Sequence, residues 1–281
     1  MNPDATLTML KLDLRDRGIG DSTAHEYQRM VRALLESITS YADLDRAAVA
    51  DWVHGAKSDS SKRHRWLAVK ALTRMLVAED ILTVDPCAKL SMPRDVAPPQ
   101  PILSEDAYAA LLATCDRSWL GRRDRAIITV LGSTGARRTE LASLKLDDVD
   151  LDAGSIAIVK GKGGKSRRSW LDPVAVKATA SYLAARQGFT EPRLWLNTRG
   201  KPMSPDGIRQ MVERRAARAG IAHVTLHQFR RRLASRWLLA GGSESALMLT
   251  CGWTSTTMPG RYAAGALAEI AQREHGRIFG S

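Results

Sequence analysis

Tyr262 closes the stretch Gly252-Trp253-Thr-Ser-Thr-Thr-Met-Pro-Gly-Arg261-Tyr262, nine residues after Trp253. Three further fragments precede it in order: Thr134-Gly-Ala-Arg137-Arg-Thr-Glu140-Leu, Gly161-Lys162-Gly-Gly-Lys165-Ser-Arg167 and His227-Gln-Phe-Arg230. Each fragment is a weak signal alone. Together they supply an anion clamp, a proton donor and a phenolic nucleophile, the groups needed to break a phosphodiester without a metal.

Attack on such an ester concentrates negative charge on its non-bridging oxygens, where fixed donors must replace water. Arginine suits that task because its planar fork binds phosphate through two bonds and stays charged. Arg137 opens a helix after Thr-Gly, where unpaired backbone N–H groups also favour an anion, and Glu140 lies close enough to orient it. His227 and Arg230 stand at i and i+3 and project from one helical face. Arg230 is then a second clamp arm, and His227 either hydrogen-bonds the phosphate or relays the phenolic proton. A free phenol titrates near pH 10, about three units too high to attack at neutral pH, so Tyr262 needs nearby cations such as Arg137, Arg230 and the flanking Arg261. Lys162 stands in a glycine-flanked turn from which an ammonium could protonate a departing oxygen, with Lys165 and Arg167 competing for that role. The indole of Trp253 can donate one hydrogen bond and accept none. The same residues also have plainer readings: surface charges on a helix, a structural histidine, a charged turn and buried aromatic residues.

The elements that must position these groups are legible in outline. The chain has 281 residues with 44% hydrophobic content, enough for one large or two medium domains around a real core. Its net charge is +12, and the excess is uneven: 1–100 carries 14 basic against 14 acidic residues, 101–281 carries 28 against 16. A surplus confined to the part holding the chemical groups points to a polyanionic partner. Cys87, Cys115 and Cys251 are odd in number and lack C-x-x-C spacing, which argues against a disulfide framework or a zinc site. No metal or cofactor is expected. No signal pattern or membrane-length apolar run is present, so the expected location is the cytoplasm, beside the nucleoid.

Four prolines fall within Pro93-Arg-Asp-Val-Ala-Pro98-Pro99-Gln-Pro101, an extended linker over 93–102 between domains 1–92 and 103–281. The first domain reads as helical. Ser22 caps one helix bearing Tyr27, Met30, Val31, Leu34 and Leu35, and a second begins near Ser61 with Trp66, Val69, Leu72 and Leu76 on its buried side. Arg63, Lys70 and Arg74 share the other face of that helix, either as a solvated stripe or as phosphate contacts. In the second domain, Ser104 starts a short helix and 122–133 reads as a buried one. The runs 155–159 and 166–171 read as strands of a hairpin. Asp172-Pro173 and Ser204-Pro205 each announce a helix start. The fold class is mainly α with a small antiparallel sheet.

The order and spacing of these fragments resemble the tyrosine recombinase (phage integrase) family. Carried over, the resemblance implies that Arg137, Lys162, His227, Arg230 and Trp253 activate a phosphate, with Tyr262 as nucleophile and Glu140 in support. It favours Lys162 over its competitors, and Trp253 stands where many members have a second histidine. It implies a helical core-binding domain over 1–92, which turns Arg63, Lys70 and Arg74 toward DNA, with Lys165 and Arg167 as further DNA contacts. It implies double-stranded core sites as substrate, a tetramer on two synapsed sites, possible accessory bending or directionality factors, and a tail after Tyr262 that docks on a neighbouring subunit. Ala136, Arg138 and Gln228 depart from the family's usual residues, and none removes a reacting group. The expected activity is site-specific cleavage and rejoining of DNA through a 3′-phosphotyrosine, for integration, excision or resolution. A type IB-like topoisomerase and a non-catalytic DNA-binding regulator are the competing readings; the linker and box spacing favour recombination.

Overall fold

The computed structural model describes residues 2–94, 101–159, 166–186, 188–263 and 267–280. Two compact units divide the chain between Pro98 and Pro99, inside the proline-rich stretch.

The first unit is built from helices α1 (Pro3–Asp16), α2 (Asp21–Glu36), α3 (Arg46–His54) and α4 (Asp59–Ala78). Asn2 accepts hydrogen bonds from Asp4 N and Ala5 N and starts α1, and Ser58 does the same for α4 through Ser61 N. The apolar stripes meet in one core, with Leu10, Val31, Leu35, Val49, Val69, Leu72 and Leu76 fully buried. Ser22 is not the cap of α2: Gly20 occupies that position and the helix begins at Asp21, with no side-chain cap bond.

The second unit is a helical body with one sheet. Its helices are α5 (Glu105–Ala113), α6 (Trp119–Thr134), α7 (Arg138–Ser143), α8 (Pro173–Ala185), α9 (Pro205–Arg218), α10 (Leu226–Leu239), α11 (Glu244–Cys251), α12 (Thr257–Ala263) and α13 (Leu267–Phe279). Strands β1 (Val149–Asp150), β2 (Ser155–Ile158) and β3 (Arg167–Trp170) pair antiparallel in that order. The sequence shows β2 and β3; β1 has only two residues, too short for any periodicity, and exists because Val149 pairs with Ile156. Asp172 and Ser204 cap α8 and α9, each with proline at the first helical position. Helix α6 is buried along most of its length and packs against α8, α9 and α10. Its Asp124 carboxylate is held between two buried guanidiniums, Arg123 at 2.6 Å and Arg215 of α9 at 2.7 Å. That charge pattern fixes α9 to α6, because pulling them apart would strand buried ions.

Two helix ends matter most for the site. Helix α6 stops at Gly135, whose φ of 56° is left-handed, and α11 stops at Gly252, with φ of 62°. A Cβ at Gly135 would lie 3.1 Å from Arg230 Cγ, and one at Gly252 would lie 3.0 Å from Arg167 Cδ. Both positions therefore need glycine for the backbone turn and for the arginine packed against it.

Candidate active site

Arg137 follows the α6 break directly and is the residue preceding α7. Its backbone N–H donates to Glu140 Oε2 at 2.9 Å and its guanidinium donates to Oε1 at 2.9 Å, so one carboxylate fixes both ends of the residue. The Arg137 side chain remains 44% exposed, which leaves its outer donors accessible. Glu140 is buried and also receives two bonds from Arg167 of β3, at 3.1 and 2.8 Å. Burial pushes the Glu140 carboxyl up, but the bonds from Arg167 and Arg137 outweigh it and hold the pKa down to about 2.

Such a carboxylate stabilises the fold above its ordinary pKa of 4.5 and loses that contribution as pH falls toward about 2. Glu140→Gln is expected to cost on the order of 2–3 kcal/mol at neutral pH. It should also flatten the acid-side fall in Tm through the window from 4.5 to about 2. Thermal melts across pH check this, and identical wild-type and variant profiles would refute it.

Arg230, on α10, is only 2% exposed. It donates to the Gly135 carbonyl at 2.7 Å and to the Cys251 carbonyl, and its guanidinium lies 5.1 Å from the centre of the Trp253 ring. Burial, with repulsion from Arg137 and Arg167, lowers its pKa from the ordinary arginine value. His227 sits one turn earlier on α10, and its Nε2 is 2.6 Å from the Tyr262 hydroxyl. The Tyr262 ring, 7% exposed, packs 4.7 Å from Trp253 and 5.2 Å from His227, centre to centre. Arg231 lies 5.5 Å from the same ring. Trp253 Nε1 is buried and finds no acceptor among the described residues. Arg137, Arg230 and His227 line one cleft of about 320 Å³.

The other sequence expectations fall as follows. Lys162 and Lys165 lie outside the described residues, as does the side chain of Arg261. Arg167 does not face outward: 10% exposed, it spends three donor positions on Glu140 and on the Thr250 carbonyl. On α4, Arg74 is exposed and Arg63 is half-buried, while Lys70 pairs with Asp85 at 2.5 Å inside its own unit. Gln228 accepts from Thr225 N at 2.9 Å and caps α10, which explains how a residue other than aspartate serves there. Arg232 of the same helix as Arg230 is buried against Tyr108 and Glu105, away from the cleft. Sequence reasoning missed Arg209 and Glu213 of α9, which line the cleft and pair at 2.6 Å. Their only sequence signal is i,i+4 spacing on a basic helix. The cysteines are free thiols whose pKa values burial raises, so they are chemically quiet. Among the described residues no cluster of metal-binding side chains occurs and no helix is long and apolar enough to cross a membrane.

A helical body with a small sheet, whose cleft is lined by a buried arginine, an exposed arginine and a histidine bonded to a tyrosine, defines a class of DNA strand-transfer enzymes. The chain belongs to the phage integrase family, which it matches over residues 101–268. It is a tyrosine-type site-specific DNA recombinase. It is 31% identical to tyrosine recombinase XerD of Mycobacterium tuberculosis, covering 86% of each chain. It is 28% identical to tyrosine recombinase XerC of Xylella fastidiosa (strain M23), covering 86% of this chain and 85% of that one. The Tn1549 transposon integrase in complex with circular intermediate DNA shares the fold, with a TM-score of 0.76, 17% identity, and coverage of 97% and 99%. A lambda integrase dimer bound to a COC′ core site has a TM-score of 0.75, with 18% identity over 92% of this chain and 76% of that one.

Proposed function

We propose that Tyr262 is the nucleophile of strand cleavage and that Arg137, Arg230, His227 and Trp253 activate the scissile phosphate of a double-stranded core site. The observation that carries this is the 2.6 Å contact between the Tyr262 hydroxyl and His227 Nε2. His227 takes the phenolic proton as the Tyr262 oxygen bonds to phosphorus. The bond from phosphorus to the 5′ oxygen breaks, and that oxygen leaves with a proton supplied by Lys162, a role that rests on the family resemblance. The product is a 3′-phosphotyrosine and a free 5′-OH. Attack by a 5′-OH on the phosphotyrosine reverses every bond change, so rejoining needs no nucleotide cofactor. Arg137 and Arg230 bind the charge that grows on the non-bridging oxygens, and the Trp253 N–H, without an acceptor among the described residues, supplies one more donor.

The N-terminal unit acts as the core-binding domain, with Arg63 and Arg74 toward phosphate. Residues 93–102 act as the linker and 103–281 as the catalytic domain. Four protomers act on two sites in the cytoplasm, beside the nucleoid. Helix α13, with Ile278 60% and Phe279 71% exposed, is the surface for a neighbouring subunit. The charge of +12 supports DNA as the substrate and makes binding salt-dependent. Affinity for a core duplex is expected to fall on the order of 10³-fold between 50 and 200 mM salt, as for a protein making roughly six phosphate contacts. A flat response in a filter-binding titration would argue against phosphate contacts as the main binding force.

The direct test is covalent trapping. Wild-type protein is expressed with its genomic neighbourhood, denatured in SDS, and the protein-linked DNA ends are sequenced. Ends at one or two loci support the recombinase reading and reveal the core site. Scattered ends favour relaxation of DNA by the same chemistry, and an absence of adducts would refute the assignment of Tyr262.

A further inference from the structure

Building on those assigned roles, we infer that Arg167 is a positioning residue of this site: its guanidinium locks the Glu140 carboxylate that aims Arg137, and ties it to the end of α11 that carries Trp253.

The contacts form a closed circuit. Arg137 is held by Glu140, and Glu140 is gripped through both oxygens by Arg167. Arg167 Nε donates to the Thr250 carbonyl at 3.0 Å. The next carbonyl, of Cys251, accepts from Arg230, which also donates to Gly135, two residues before Arg137. Two guanidiniums thus join the Arg137 side of this circuit to the α11 side: Arg230 through backbone carbonyls alone, and Arg167 through the Glu140 carboxylate that holds the Arg137 side chain. Only a planar fork can do what Arg167 does: two parallel donors meet the carboxylate while the third, at a fixed angle, meets a carbonyl. Register places Arg167 there. It pairs with Ile158 across the sheet, on the inward face with Ser169, whose hydroxyl reaches the same Thr250 carbonyl at 3.4 Å. Gly252 is flush against the guanidinium, so the turn into Trp253 is shaped around Arg167.

These contacts assign Arg167 a task other than holding DNA. Its side chain is 10% exposed, against 44% for Arg137. Without Arg167, Glu140 would keep one guanidinium partner and its burial, and the Arg137 side chain would lose its link to the Trp253 turn, leaving only the backbone link through Arg230. Displacement of a reacting group by about 1 Å can cost on the order of 10²-fold in rate.

The groups that act on Glu140 are Arg137 of the α7 entry, Arg167 of β3 and the Cys251 thiol of α11, with Arg230 of α10 beside Arg137, Arg167 and Cys251, and Tyr262 of α12 beyond Arg230. Arg137, Arg167 and Arg230 are cationic, so removing Arg167 lets burial push the carboxyl up. Loss of Arg167 therefore has a readout that simple destabilisation lacks: the acid limb of cleavage moves to higher pH.

The test uses the full chain, the duplex recovered by covalent trapping, and the variants Arg167→Met and Arg167→Lys. Single-turnover cleavage at saturating duplex is expected to fall about 10²-fold in Arg167→Met at neutral pH. Duplex affinity should stay within about twofold, since no phosphate contact is lost. The acid limb should rise by about one pH unit or more as burial acts on Glu140 less opposed. Arg167→Lys should recover part of the rate, because an ammonium keeps the charge without the fork. If Arg167→Met melts below the assay temperature, Arg167→Lys decides alone: a wild-type rate and pH profile overturn the inference, while slow cleavage with a raised acid limb supports it. Weakened affinity with an unchanged saturated rate would make Arg167 a DNA contact and overturn it. A lower Tm with an unmoved acid limb would make it merely structural and overturn it as well. If wild type forms no adduct, the site assignment fails and this inference fails with it. If wild type cleaves and Arg167→Met cleaves equally fast, only this inference fails.

Discussion

Tyr262→Phe is expected to eliminate the covalent protein–DNA adduct completely while core-duplex binding stays within about twofold of wild type, since the change removes no phosphate contact. The substitution deletes one oxygen and leaves the ring. That ring keeps its packing against Trp253 at 4.7 Å and against His227 at 5.2 Å. The lost hydrogen bond to His227 should cost only about 1 kcal/mol of stability, because a neutral hydrogen bond contributes about that much net. Adduct formation should not pass to another tyrosine of this unit. Tyr182 is fully buried and donates to the Leu194 carbonyl, and burial pushes Tyr108 up to about 12. SDS gel analysis of protein incubated with labelled duplex reads the result. A persisting adduct would place the nucleophile elsewhere.

Arg230→Ala is expected to fail in two ways at once. Cleavage should fall by 10³-fold or so, because a donor poised on developing charge is removed from a buried site. The fold should also lose about 2–5 kcal/mol, because the Gly135 and Cys251 carbonyls would keep their burial and lose their donor. For a domain of this size that corresponds to a Tm lower by roughly 5–15 °C. Arg137→Ala offers the contrast. Its side chain is 44% exposed and its ion-pair partner among the described residues, Glu140, retains Arg167. Cleavage should fall comparably while Tm stays within a few degrees of wild type, since about 1 kcal/mol is at stake. Arg230→Lys separates the two losses, since its single ammonium cannot span both carbonyls but keeps the buried charge. Equal stability of the two alanine variants would contradict the assignment of Arg230 as the buried arm.

The difference between those arms is invisible in the sequence. Arg137 and Arg230 have the same side chain and similar motif strength. One is pinned at a helix entry and left open, the other sits beneath Trp253 with its donors turned onto backbone carbonyls. Burial decides this, and burial depends on which elements pack together. Arg167 is the sharper case. In the run Gly161-Lys162-Gly-Gly-Lys165-Ser-Arg167 it reads as one more basic residue for DNA. Strand parity and register turn it inward beside Ser169, and a one-residue slip would have put Arg168 there instead. Lys70 shows the same limit. Its helical spacing with Arg63 and Arg74 is real, but Asp85, fifteen residues away and beyond the end of α4, claims it.

What the sequence by itself determined about this protein is local and compositional. Asp172-Pro173 and Ser204-Pro205 set two helix starts through side-chain caps and a proline whose missing N–H costs nothing there. The apolar spacing of α4 chose its buried face, and the charge surplus beyond residue 100 pointed to a polyanion. The order of the candidate residues, ending at Tyr262, pointed to the family the chain belongs to. Tertiary structure decided the rest: that His227 meets Tyr262 across 35 positions of sequence, and that Arg230 is buried while Arg137 is not. It also decided that Arg167 joins Glu140 to the turn before Trp253. The physical reason is one of range. Caps, turns and periodicity act over a few residues and are written in neighbouring letters. Desolvation and ion pairing depend on which distant segments share a low-dielectric space, and only the packed chain specifies that.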